Sequence, residues 1–392
     1  MKKNQLSEIK KMEREARDKD GIISLAQGYP DFPTPWPIVE FVKGHINDPK
    51  WHQYTISSGL SKLREEISLF LARKDEEYNP YKEILVTAGA NAGLLSTLIA
   101  LFQPNDSIAL FTPTYASYFD QLSIAGLVPI YLPLKEENWQ VDLDLVNDRI
   151  RTHNPKAILI CNPNNPTGNL LHKNELIEIA RIAIENNLII ICDEVYSYLL
   201  YNDLEYFSLA SMKKFKQNII KIQSFSKRYA MTGWRVGYIC ATEDKIDKIL
   251  AVHDMMINCA PSLSQLAAIA ALKLGENFVP QFLKEFTDRN IYVYEWLTRM
   301  KEYLSAKKPE GTYFYFIKLN KSNDNFTYDL FDKAKVAVVK GTAFGPFYKD
   351  YFRISFAKNF ALLSEALFRI SNFFNPTIAK EFFEEKVASF VS

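Results

Sequence analysis

Five short apolar runs rich in Ile and Val, Glu83 to Thr87, Ser107 to Phe111, Lys156 to Cys161, Leu188 to Cys192 and Ile219 to Gln223, alternate with longer segments. The runs are mostly apolar and too short for helices, and their alternation with longer segments predicts strands of a parallel sheet covered on both faces. Between the third and fourth, Lys173 to Asn186 carries the apolar period LIEIARIAI and stops on Asn, which predicts a helix and completes a βαβ unit. The fold class that follows is α/β, a large domain with a mainly parallel sheet flanked by helices. After about residue 275 the texture changes. A long aromatic and charged helical segment leads to TYFYFIK, VAVVK and YFRISFA, then to a final amphipathic helix beginning near Leu362. That predicts a smaller α+β domain over 276–392, a large domain over 46–275, and an N-terminal segment, 1–45, that joins the smaller one.

The 392 residues, 47% of them hydrophobic, suffice for both cores. Lys and Arg total 47 against 46 for Asp and Glu, so a net charge of +1 gives no electrostatic case for nucleic acid or an anionic membrane. The N-terminus MKKNQLSEIKKMEREARDKD has no signal-peptide core, and no later run is long enough to span a bilayer; a soluble cytoplasmic chain is expected. Cys161, Cys192, Cys240 and Cys259 are scattered and read as structural thiols. His45, His52, His153, His172 and His253 lack zinc-site spacing, so no metal is expected and each reads as a surface or packing residue. The tail AKEFFEEKVASFVS reads as an extra amphipathic helix that packs.

Ligands of an open parallel sheet sit beyond the carboxyl ends of its strands, so the polar residues that follow these runs are the candidates for chemistry. KAILIC ends in NPNNPTG with Asn165, LIIIC in Asp193-Glu194-Val195-Tyr196, and IIKIQ in Ser224-Phe225-Ser226-Lys227. If the three strands are neighbours, an amide, a carboxylate with a phenol, and a lysine converge, as a pyridine aldehyde cofactor requires. Lys227 can form an imine and then, as free amine, move a proton between substrate Cα and cofactor C4'. Asp193 suits the pyridine nitrogen, and Tyr196 and Asn165 suit the ring O3'. The strand EILVT runs into Ala88-Gly89-Ala90-Asn91, a small-residue turn opening a helix, which with Ser224 and Arg235 suits a phosphate.

These motifs together resemble the class I and II aminotransferases of the pyridoxal 5'-phosphate (PLP) fold type I group. The resemblance runs through GYPDFPTP, YTISSGLSKLR, TAGANAG, PTYASY, NPNNPTG, DEVY, SFSKRYAMTGWRVGY and YFRISFA, nearly the whole chain. It implies PLP on Lys227, with Asp193 at the ring nitrogen and Tyr196 and Asn165 at O3'. The phosphate then falls to the amides of Ala90 and Asn91, to Ser224 and to Arg235. It further implies that Tyr115 stacks on the pyridine face and that Tyr54 reaches the phosphate of a neighbouring subunit, so that the active site is shared in a homodimer. Arg353 holds the substrate α-carboxylate, with Asn165 nearby and a backbone contact from Gly28 or its neighbour.

The activity expected is exchange of an amino group between an L-amino acid and a 2-oxo acid such as 2-oxoglutarate, by a ping-pong route. A PLP-dependent C-S lyase on the same fold is the alternative. A non-catalytic PLP-binding regulator ranks lower, because fewer than about thirty residues precede the first motif, too few for a DNA-binding module. A dinucleotide-dependent dehydrogenase ranks below that, since no GxGxxG follows a strand. Asn91 stands where some aspartate-specific relatives place a lysine, and Tyr29, Tyr54, Tyr115 and Phe344 can line an apolar pocket. Aromatic, methionine-like or other neutral donors are therefore expected ahead of aspartate.

Overall fold

The computed structural model describes residues 8–391, with side chains described over 10–384; residues 1–7 of the expected N-terminal segment and residue 392 of the expected tail helix lie outside the described residues. The strands, in chain order, are β1 (Ile23–Ser24), β2 (Ile84–Thr87), β3 (Ser107–Thr112), β4 (Val128–Pro133), β5 (Ala157–Cys161), β6 (Ile189–Asp193) and β7 (Ile219–Ser224). They continue as β8 (Gly237–Cys240), β9 (Leu304–Ser305), β10 (Phe314–Leu319), β11 (Val336–Ala337), β12 (Val339–Lys340) and β13 (Tyr351–Ser355). All five expected strands are present, as β2, β3, β5, β6 and β7.

One seven-stranded sheet has the order β2-β8-β7-β6-β5-β3-β4. Its strands β3 to β7 pair in parallel, and β8 runs antiparallel to both β2 and β7. Sequence reading missed β4 and β8. β4 is an edge strand, VPIYLP, whose two prolines a central strand would not tolerate and whose first residue is exposed. β8 has four residues beginning with Gly237 and is defined by its pairing to β2 and β7 rather than by its own pattern.

The expected helix spans Lys173–Glu185 with Asn186 as its C-cap; Leu176, Ile179, Ala180 and Ala183, one stripe of it, are buried. Helix Ala90–Leu101 follows β2 at once and is apolar on most sides, as burial against the sheet requires.

A four-stranded antiparallel sheet, β12-β13-β10-β9, forms beyond residue 300, and β1 pairs in parallel with β11. The run VAVVK is thus divided between two sheets. Helices Val279–Arg299, Phe360–Phe374 and Pro376–Val391 cover this part; Ala379 and Phe382 of the tail helix are buried. Among the described residues no helix is long and apolar enough to cross a membrane.

Candidate active site

The register of the large sheet brings the three strand ends together. Cys161 of β5 lies opposite Asp193 of β6, and Asp193 opposite Ile222 of β7. From the segments that follow, Asn165, Val195, Tyr196, Ser224, Ser226 and Lys227 therefore open on one crevice. The opposite wall comes from the small sheet, through Phe314 at the start of β10 and Arg353 in the middle of β13. Between them is a cavity of about 440 Å³, lined by Gly28, Ala90, Asn91, Tyr115, Asn165, Asp193, Tyr196, Ser224, Lys227, Arg235 and Arg353 among others.

The Lys227 Nζ donates to Gly28 O at 2.5 Å and stands 5.9 Å from the centre of the Tyr196 ring. Burial, followed by the positive charges of Arg353 and Arg235, brings its pKa down to about 7, so near neutral pH much of it is free amine. Asp193 is buried at the end of β6. Its Oδ2 accepts from Tyr118 Oη at 2.6 Å and its Oδ1 from Val195 N at 3.3 Å. Burial outweighs both donors and raises the carboxyl to about 6.

Arg353 is 1% exposed yet meets no carboxylate among the described residues. Its Nη1 donates to Asn165 Oδ1 at 3.0 Å, its Nη2 donates to Ala26 O, and its Nε has no partner among those residues. The guanidinium lies 4.3 Å from the Phe314 ring centre and 5.0 Å from that of Phe344, and burial brings its pKa down to about 10, so it stays charged at neutral pH. A buried cation without a counter-charge calls for an anion.

The turn ahead of helix Ala90–Leu101 is shaped for a second anion. Gly89 has φ +87°, and a Cβ there would lie 2.5 Å from Arg235 Nη2, so only glycine lets this arginine approach the helix start. Ser224 Oγ faces the same cavity, accepting from Ser226 N at 3.1 Å. Lys10, Lys227, Arg235 and Arg353 line the crevice together with the carboxylate of Asp193. A phosphorylated aldehyde and a carboxylate-bearing substrate fit that charge balance and donor set.

The structure places four of the residues singled out from the sequence as follows. Tyr54 is 80% exposed and is not brought to this chain's cavity. Phe344 is fully buried behind Arg353 instead of lining the cavity. Gly28 presents its carbonyl to Lys227 Nζ and Tyr313 Oη; its lack of a side chain makes room for the Phe314 ring, which a Cβ there would strike. Asn165 gives its oxygen to Arg353, which leaves its NH₂ group for the cavity. Tyr118 was missed altogether. It follows Tyr115 by three residues, in the first turn of helix Ser117–Ile124, and packs edge to face against it at 5.5 Å; the repeat of tyrosines in PTYASY was the available signal.

Sheet, crevice and charge pattern define a fold type I transferase. An aspartate aminotransferase of Pyrococcus abyssi is 35% identical over 371 residues, 93% of this chain and 94% of its own length. An aromatic-amino-acid aminotransferase of Thermococcus litoralis is 33% identical over 371 residues, again 93% and 94%. The solved structure of a Pyrococcus protein, protein-A1, matches with a TM-score of 0.89 at 33% identity, covering 97% of each chain. The chain belongs to the aminotransferase class I and II family, whose family model matches residues 20–370. It is an aminotransferase, and enzymes of this family use pyridoxal phosphate and act on amino acids and 2-oxo acids.

Proposed function

We propose that this enzyme transfers the amino group of a neutral or aromatic L-amino acid to 2-oxoglutarate in two half-reactions, with PLP held on Lys227. The observation that carries the reading is the readily deprotonated Lys227 amine set between a buried carboxylate and a buried arginine whose Nε is unpaired among the described residues. When bound, PLP supplies an aldehyde for that amine and a ring that withdraws electrons from the substrate Cα. Lys227 Nζ would take the proton from the substrate Cα and deliver it to the cofactor C4'; a pKa of about 7 suits both steps. Asp193 would hold the proton on the ring nitrogen, Tyr196 Oη and Asn165 Nδ2 would donate to O3', and Tyr115 would lie against the ring. Ala90, Asn91, Ser224 and Arg235 receive the phosphate. Arg353 orients the substrate carboxylate, aided by the segment at Gly28.

The homodimer belongs to the same proposal. Tyr54, Ile56 and Met255, at 80%, 55% and 80% exposure, lie on segments joined through the Ser57 Oγ to Asp254 hydrogen bond, an apolar group that a second copy would cover. From there Tyr54 would serve the partner's phosphate. A cytoplasmic location and the domain limits 46–275 and 276–392 are likewise proposed. The domain limits are supported by a hydrophobic cluster built mainly from residues 282–382 with Ile23 and Leu25, which meets the large domain at Val195, Tyr196, Leu199 and Tyr201.

A panel of amino donors, read by conversion of the cofactor absorbance to the pyridoxamine form and back with 2-oxoglutarate, tests the function. Aromatic donors are expected to exceed aspartate in kcat/KM, supported by Tyr29, Tyr115 and Phe314 in the wall and Asn91 at the turn. A clear aspartate preference would defeat the substrate choice. Ammonia release without cofactor interconversion would replace the whole reading by a lyase.

Tyr118→Phe removes a donor that opposes the rise of the Asp193 pKa. The acid limb of kcat/KM is expected to move upward by about one to two pH units, the equivalent of a hydrogen bond to a charged group. An unmoved limb would mean that Tyr118 does not help to keep Asp193 ionised.

A further inference from the structure

Helix Glu243–Ile257 packs along helix Ala90–Leu101, and one of its residues reaches the turn in front of that neighbour. His253 is fully buried, and its Nε2 accepts the backbone N–H of Ala88 at 3.3 Å. An accepting ring nitrogen carries no proton, which assigns the proton to Nδ1. That Nδ1 is buried without a hydrogen-bond partner among the described residues. Burial also holds the imidazole pKa below the usual histidine range, in keeping with the neutral, accepting form.

A buried donor left unmet is a cost that an apolar side chain of similar size would not carry, so packing alone does not account for a histidine here. What it provides is an acceptor for Ala88. The other bonds of the turn are local: Gly89 N donates to Thr87 O at 2.8 Å, and Thr87 Oγ1 to Gly89 O at 3.1 Å. The His253 bond ties the turn to a separate element. The direction of the next amides, those of Ala90 and Asn91, follows from the peptide planes of residues 88 to 90, and these N–H groups have no acceptor within their own helix.

We propose that His253 is a positioning residue for the phosphate turn: by accepting the Ala88 amide it holds the Ala90 and Asn91 N–H groups in the direction that receives a phosphate ester. The inference rests on the reading of the cavity as a PLP site. It assigns His253 no contact with the cofactor.

The test titrates the apoprotein of the wild type, His253→Leu and His253→Gln with PLP, with pyridoxal, which lacks the phosphate, and with inorganic phosphate, alongside thermal midpoints. His253→Leu is expected to bind PLP and inorganic phosphate about tenfold more weakly while pyridoxal affinity stays as it was. His253→Gln, whose side-chain oxygen can accept the same N–H, is expected to recover most of that loss. Equal weakening toward PLP and pyridoxal, or undiminished phosphate affinity in His253→Leu, overturns the proposal. If the leucine variant does not fold, the wild type with ¹⁵N-labelled histidine decides: the His253 signal should respond to PLP and phosphate and not to pyridoxal, and equal responses overturn the proposal. A wild-type protein that binds neither PLP nor pyridoxal would overturn the cofactor reading first, and this one with it.

Discussion

Replacing Lys227 with alanine is expected to lower turnover by about 10⁴-fold or more, because one side chain both anchors the cofactor and moves the substrate proton. After borohydride treatment the wild type should retain a covalently attached chromophore and the variant none. The amine is sequestered, with its pKa brought down to about 7, so the folded chain binds its proton less tightly than the unfolded chain does. The sign is that of a destabilising charge: the penalty is absent above the ordinary lysine range, grows as pH falls, and is full below about 7. Removing the amine therefore should not cost the apoprotein stability at neutral pH, and a thermal midpoint equal to or above that of the wild type separates lost chemistry from lost fold. Covalent cofactor retained by Lys227→Ala would show that another lysine holds it.

The second large effect is expected at Arg353. Its guanidinium lies against the rings of Phe314 and Phe344 and is tied by Asn165 and Ala26, which leaves the rest of the fork for an incoming carboxylate. Arg353→Lys keeps the charge but loses the planar pair of donors. A hydrogen bond to a charged group contributes about 1.5–3 kcal/mol, so KM for the amino donor should rise and kcat/KM fall by roughly ten- to a hundredfold. The loss should be alike for aromatic and aspartate donors, since both carry the α-carboxylate. Unchanged efficiency would remove Arg353 from substrate binding and leave its burial to be explained by packing.

Much of this architecture was legible because a parallel sheet writes itself locally. Strands β2, β3, β5, β6 and β7 are mostly apolar and almost wholly buried, as strands covered on both faces must be, and the ligand-facing residues come at or directly after their ends. Asn165, Asp193, Tyr196, Ser224 and Lys227 could thus be named from their place after a run. The edge strand β4 and the short β8 could not, since one is partly solvated and rich in proline and the other depends on partners distant in sequence.

Tyr118 and His253 escaped for a further reason. Each acts through a group far along the chain, Tyr118 on Asp193 and His253 on Ala88, and the sequence around each reads as an ordinary amphipathic helix. The sequence by itself determined the strand-helix alternation, the polar strand ends and the family, because backbone pairing and side-chain burial leave a periodic record in the chain. Only the tertiary structure decided that Arg353 meets no counter-charge among the described residues, that Asn165 bridges it to the cavity, and that Lys227 is desolvated enough to lose its proton near neutral pH. Those properties are energies of burial and distance between separate segments, and a linear pattern carries neither.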